Sequence, residues 1–205
     1  MLDRAGIDYA GLWFHVPLGR YSLDKRRFVD LARTPLRRLR CVGVTTENDP
    51  DVIAEFVRES RLSGIQLHGF QLPKVVQSIK RRLDDGLELF KVLHVQRGKC
   101  LENPLLQEYA VCGADAFILD NFVSRQRPGS TGERIPSATV AELINILGTE
   151  RVFLAGGMDE AGIRTLRSSV PLLRGVDIDT GARVASKIDM QRVLAIVMAA
   201  RESDG

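Results

Sequence analysis

Short apolar, β-branched runs alternate along the chain with longer amphipathic stretches. The runs fall at about 9–15 (YAGLWFH), 40–45 (RCVGVT), 64–68 (GIQLH), 88–95 (ELFKVLHV), 115–120 (DAFILD), 151–155 (RVFLA) and 174–178 (RGVDI). Nearly continuous apolar runs predict strands covered on both faces, as in a parallel sheet. The stretches between them carry helix signals. Asp49 before Pro50 predicts an N-cap with proline in the first turn, and Asn103-Pro104 predicts the same ahead of LLQEYAV, with Gly113 closing that helix. Ser137 predicts a start and Gly148 an end for ATVAELINIL. In the last stretch Met190, Val193, Leu194, Val197 and Met198 share one helical face, which predicts a core-packed stripe. Seven strands, each followed by a helix and with no linker between them, predict one α/β domain over residues 1–205.

Composition narrows the class. At 205 residues, 44% apolar and 27% charged, the chain can bury a full core without staples, yet it is short of the roughly 250 residues typical of an eight-fold barrel. The basic runs Lys25-Arg26-Arg27, Arg37-Arg38-Leu39-Arg40 and Lys80-Arg81-Arg82 read as solvated helix faces, and net charge is only +3. No aromatic platform accompanies them, so nucleic acid is not an expected partner. No apolar run is long enough to cross a membrane, and the N-terminus lacks the pattern of a signal peptide. Cys41, Cys100 and Cys112 are an odd number without metal-ligand spacing, which predicts unbridged thiols in a reducing cytoplasm, no metal and no cofactor.

In an α/β barrel, function gathers where strands end and the following loops begin. Those junctions deliver His15, Thr45, His68, His94, Asp120, Gly156-Gly157, Asp177 and Asp179. All three histidines of the protein are among them.

Here a family resemblance becomes specific. GIQLHG (64–69) resembles the fourth-strand segment of phosphoribosylanthranilate isomerases. DAFILDN (115–121) is similar to their sixth-strand segment, GSTG (129–132) to their Gly-rich loop, FLAGGM (153–158) to the seventh strand and GVDIDTG (175–181) to the eighth. AGIDYAGLWF with GRYS (19–22) resembles the second strand and its Arg-Tyr-Ser loop. The ordered set covers the chain from about residue 5.

The resemblance implies an α/β fold, a (β/α)8 TIM-barrel-like domain whose first β-strand is missing, leaving about seven βα units. It implies an Amadori rearrangement of a phosphoribosyl-arylamine to an amino-ketose, which needs an acid at the ring oxygen and a base at C2. Asp120 falls at the general-acid position, and Arg20 at the arginine that pairs with the anthranilate carboxylate. Gly156, Gly157, Gly129, Gly132, Thr180 and Gly181 fall at the phosphate cradle, with a helix start behind the first two. Gln66 and His68 belong to the QLHG segment, and Asp177 to the acidic position of the eighth strand.

Departures accompany the match. The family's general base is a cysteine in a Lys-(Ile/Val)-Cys-Gly segment of strand one, which on this register lies upstream of Met1. His15 and Asp177 are then the candidates for the base. The open edge implies an earlier native start, a homo-oligomer that covers it, or a barrel that tolerates it. Asp179 puts a carboxylate where a phosphate would sit, with Arg183 placed to neutralise either one, and Arg134-Ile135-Pro136 replaces the family's Phe-Asp-Trp. Two alternatives therefore stay open: a divergent family member with another reaction in specialised metabolism, or a non-catalytic protein that binds a small molecule or a partner.

Overall fold

The computed structural model describes residues 1–17, 19, 21–122, 134–170 and 173–202. In chain order its elements are β1 (Tyr9–Trp13), α1 (Lys25–Ala32), β2 (Arg40–Thr45), α2 (Pro50–Glu59), β3 (Gly64–Leu67), α3 (Pro73–Lys80), β4 (Glu88–Gln96), β5 (Lys99–Cys100), α4 (Leu106–Ala110), β6 (Ala116–Asn121), α5 (Ser137–Leu147), β7 (Val152–Leu154), α6 (Glu160–Ser169), β8 (Gly175–Val176), β9 (Arg183–Val184), β10 (Lys187–Ile188) and α7 (Met190–Arg201). Each of the seven apolar runs overlaps one of the strands β1, β2, β3, β4, β6, β7 and β8. Contacts along the chain gather into two compact units: Met1–Val92 with Gln107–Ala116, and Leu93–Leu106 with Phe117–Gly205. Strand β4 begins in the first and ends in the second.

In the first unit β1, β2, β3 and β4 pair in parallel, with Tyr9 opposite Arg40, Val42 opposite Gly64 and Gly64 opposite Glu88. Every residue of β3 is buried, and so is every residue of β2 after Arg40, as strands covered on both faces must be. Beside the sheet Phe14, Phe28 and Phe56 form a buried triad, with ring centroids 4.3 to 5.6 Å apart. Such pairs add about 0.5–1.5 kcal/mol each beyond their area. Of the three basic runs, the second is not helical. Pro35 precedes it, and the Asp3 carboxylate accepts the backbone N–H groups of Arg37, Arg38 and Leu39, each at 2.9 Å, which holds it as a loop entering β2.

The second unit pairs β6, β7 and β8 in parallel, with Phe117 opposite Val152 and Leu154 opposite Val176. The end of β4 folds back on β5 as an antiparallel hairpin, Val95 opposite Cys100 and Gln96 opposite Lys99. Its two turn residues, Arg97 (φ 49°) and Gly98 (φ 74°), are both left-handed, the geometry that matches strand twist in a two-residue hairpin. A second small hairpin joins β9 and β10.

Aspartate starts most of the longer helices. The side chains of Asp24, Asp49, Asp159 and Asp189 accept from Arg27, Asp51, Gly162 and Arg192 N–H respectively. Asp49-Pro50 is thus the predicted cap. Asn103 is not: it opens a 3-10 turn, Asn103–Leu105, and Glu102 before it turns its carboxylate to His94 instead. Ser137 is the first helical residue of α5, with Pro136 in the capping position, whereas Gly148 ends that helix at φ 87° as expected. The stripe on α7 is only partly core. Val193 is buried, but Leu194 and Met198 are 42% and 65% exposed, because periodicity defines a face without defining what covers it.

Candidate active site

Two groups of predicted residues are gathered, one in each unit. In the first unit His15 follows β1 in a left-handed conformation (φ 44°). Its Nδ1 lies 3.2 Å from Glu47 Oε2, and Thr46 Oγ1 donates to its carbonyl at 3.0 Å. The N–H groups of Asp49 and Asn48 and the His15 ring together hold the Glu47 carboxyl below its usual range, the Asp49 contact being the largest. His15, Val16, Pro17, Ser22, Leu23, Thr46 and Glu47 line an open cleft of about 490 Å³. Gln66 is buried within β3, and His68, just past its end, donates its N–H to the Thr45 carbonyl at 2.8 Å. The Trp13 indole stands 6.3 Å from both the His68 and Tyr21 rings. Arg20 lies outside the described residues.

Lys91 is a member of this neighbourhood that the sequence reading missed. It is fully buried in β4, donates to the carbonyls of Gly69 (2.8 Å) and Val92, and stands 5.5 Å from the centre of the Tyr109 ring. Tyr109 in turn donates to the Gln71 carbonyl at 2.7 Å. These contacts tie down the 69–71 segment that follows His68. Its signal was a lysine inside an otherwise apolar run, which is costly unless every donor is engaged.

In the second unit Asp120 is the penultimate residue of β6, at 8% exposure. Burial pushes its carboxyl up to about 6, against the pull of the His94 charge and of the Asn121 N–H. The turn after β7 lies directly against it. Gly156 (φ 73°) and Gly157 (φ 65°) are both left-handed, and a Cβ at Gly156 would stand 2.8 Å from Asn121 N and 3.3 Å from Asp120 Oδ1. Only glycine fits there. Thr180 and Gly181 are carried to the same turn, since a Cβ at Gly181 would meet the Met158 carbonyl. Asp177, half-buried, donates its N–H to the Leu154 carbonyl at 2.9 Å.

The helix behind the glycines has one first-turn N–H taken by its own cap. Asp159 Oδ1 takes the Gly162 N–H of α6 at 2.8 Å, with Arg134 beside it at 3.2 Å. Of the two anions open to Arg183, the structure pairs it with the Asp179 carboxylate, at 2.6 Å from Nε. Gly129 and Gly132 lie outside the described residues. Among the described residues, no cluster of His, Cys, Asp and Glu is placed to hold a metal, and no helix is long and apolar enough to cross a membrane.

Parallel strands alternating with helices, and chemistry at the strand ends, define the class as an α/β protein of TIM-barrel type. Solved structures share that fold. Phosphoribosyl anthranilate isomerase from Thermotoga maritima matches with a TM-score of 0.76 at 19% identity, over 98% of this chain and 91% of the other. A phosphoribosyl anthranilate isomerase in complex with reduced 1-(o-carboxyphenylamino)-1-deoxyribulose 5-phosphate matches at 0.74 and 18% identity, with 98% and 91% covered. The N-(5'-phosphoribosyl)anthranilate isomerase of Acetivibrio thermocellus is 28% identical over 98% of this chain and 93% of its own length. Residues 22–198 match the family model of N-(5'phosphoribosyl)anthranilate (PRA) isomerase, and the chain belongs to that family.

Proposed function

We propose that this chain isomerises N-(5'-phosphoribosyl)anthranilate to the corresponding 1-amino-1-deoxyribulose phosphate, with Asp120 as general acid. The observation that carries this reading is the state of Asp120. A carboxyl held near pH 6 by burial keeps a share of its protons at neutral pH and can deliver one. The proton passes to the ribose ring oxygen, the C1–O bond breaks, and the amine nitrogen's lone pair forms the C1=N iminium. Loss of the C2 proton gives the enolamine, which tautomerises to the amino-ketose.

His15 is proposed as the base for the C2 proton. Its ring is oriented by the Glu47 carboxylate, the arrangement that readies an imidazole for proton transfer. Asp177 is proposed to bind a sugar hydroxyl and is the second candidate for the base. Arg20 is proposed for the anthranilate carboxylate. Gly156, Gly157, Gly129, Gly132, Thr180 and Gly181 are proposed for the phosphate, and Gln66 and His68 for the sugar. The glycine turn supports this through two consecutive left-handed residues that carry no side chain. A reducing compartment suits the three unbridged cysteines, Cys41, Cys100 and Cys112.

Purified protein mixed with phosphoribosylanthranilate, with loss of the substrate's fluorescence as the readout, tests the reading. Turnover supports it. A folded protein that binds the substrate, as shown by a raised Tm, without converting it would favour a binding protein instead.

A further inference from the structure

The β4–β5 hairpin sets Glu102 against His94 inside the second unit. After the Arg97-Gly98 turn, Leu101 donates its N–H to the His94 carbonyl at 2.8 Å, so the chain doubles back along β4. Both Glu102 oxygens accept from His94. Oε2 accepts the His94 backbone N–H at 2.9 Å, and Oε1 accepts from ring Nδ1 at 2.6 Å. The two side chains are 3% and 5% exposed. A carboxylate can only accept, so Nδ1 carries its hydrogen, and a buried carboxylate needs such a donor or a counter-charge. Cys100 Sγ lies 3.9 Å from Glu102 Oε2, and the Phe122 ring meets the imidazole edge-on at 5.4 Å.

The Phe122 N–H just past β6 donates to the Val95 carbonyl of β4 at 2.7 Å, so the two strands are neighbours and His94 and Asp120 lie one and two residues before that bond. His94 acts electrostatically on Asp120 of β6, which otherwise meets the Asn121 N–H on its own strand and the Gly156 backbone of the turn after β7. Asp120 must become a carboxylate each time it gives up its proton, in a site where burial opposes that charge. A fixed positive neighbour offsets this cost more in a dry site than in water.

We propose that His94, clamped by Glu102, is a positioning residue for Asp120, its ring when protonated stabilising the carboxylate left when Asp120 protonates the substrate's ring oxygen. The inference rests on the reading of Asp120 as the acid. The proton leaves Asp120 and arrives on the substrate oxygen as the C1–O bond breaks, while His94 and Glu102 exchange none. The pair thus sets the strength of the acid.

Carbon NMR of protein labelled at the aspartate carboxyl reads this without turnover, the Asp120 signal being assigned by its loss in Asp120→Asn. The wild-type midpoint is expected near pH 6. In His94→Gln it rises by about one pH unit, and in His94→Asn, which also carries no charge and keeps an N–H donor for Glu102, it rises as well. If His94→Gln does not fold, His94→Asn, which places its amide near the position of ring Nδ1, decides alone. A folded variant with an unmoved midpoint overturns the proposal. A moved midpoint upholds it even if the protein converts no substrate, whereas normal turnover with an unmoved midpoint removes this inference alone. With turnover, the alkaline limb of kcat follows the same displacement, which a purely structural role would not produce.

Discussion

A Cβ at Gly181 would stand 2.1 Å from the carbonyl oxygen of Met158 and 3.1 Å from its carbonyl carbon. The loop after β8 is therefore seated on the turn after β7, the turn that carries Gly156 and Gly157. Both sides of this contact are backbone, so neither yields by a change of rotamer. Gly181→Ala is expected to displace the loop, lowering stability by about 1–3 kcal/mol and raising KM for the phosphorylated substrate more than it changes kcat. Thermal unfolding and steady-state kinetics on the one variant check both effects.

Asp179 and Arg183 make an exposed i,i+4 pair, with side chains 47% and 21% exposed. Such a pair contributes about 0–1 kcal/mol, so Asp179→Asn leaves Tm nearly unchanged. It removes the carboxylate that competes for Arg183, and binding of inorganic phosphate, followed by calorimetry, is expected to tighten. Arg183→Ala is expected to weaken it.

Asp120 makes stability depend on pH in the less common direction. Its folded-state value, about 6, lies above the ordinary 3.8, so the folded protein holds the proton more tightly than the unfolded chain does. Stability conferred by this group is full below about pH 4, falls between 4 and 6, and is lost above 6. Asp120→Asn is thus expected to be more stable than the parent at pH 8, by about 3 kcal/mol as an upper bound, and equal to it near pH 4. Urea titrations at the two pH values measure the difference.

Asp3 runs the opposite way. The N–H groups of Leu39, Arg37 and Arg38 hold its carboxyl at about 2, below the ordinary 3.8. Its stabilising effect is present above pH 4 and fades as pH falls through 2. Asp3→Asn should lower Tm at pH 7 and make no difference near pH 2, and the amides of Arg37 and Arg38 should exchange faster in the variant at pH 7.

Within the aromatic triad, Phe56 meets both Phe14 and Phe28. Phe56→Ala is expected to cost about 3–5 kcal/mol, read as a fall in the urea midpoint without a change in slope.

Strand positions were legible because parallel strands bury both faces and leave unbroken apolar runs, as in GIQL and AFILDN. Asp120, Gly156 and Gly181 were legible as candidates through the family motifs, whereas their close packing shows only in the structure. The His94–Glu102 clamp was not. Its partners are eight residues apart, and they meet only because Arg97 and Gly98 both turn left-handed, a pairing that periodicity does not report. Asn103 misled for the same reason: the carboxylate one residue earlier had a better partner than the helix start. On α7 the sequence shows an apolar face but not its cover, so Leu194 and Met198 were read as core although they are exposed.

The most direct test is the pH dependence of kcat for phosphoribosylanthranilate turnover, measured for the parent chain and for Asp120→Asn. A buried acid at about 6 predicts a rate that falls about tenfold per pH unit on the alkaline side, and a variant slower by about 10²-fold or more with that limb abolished. A parent rate that stays level from pH 6 to 9, or a folded Asp120→Asn that keeps the parent rate, would contradict the assignment of Asp120 as the acid.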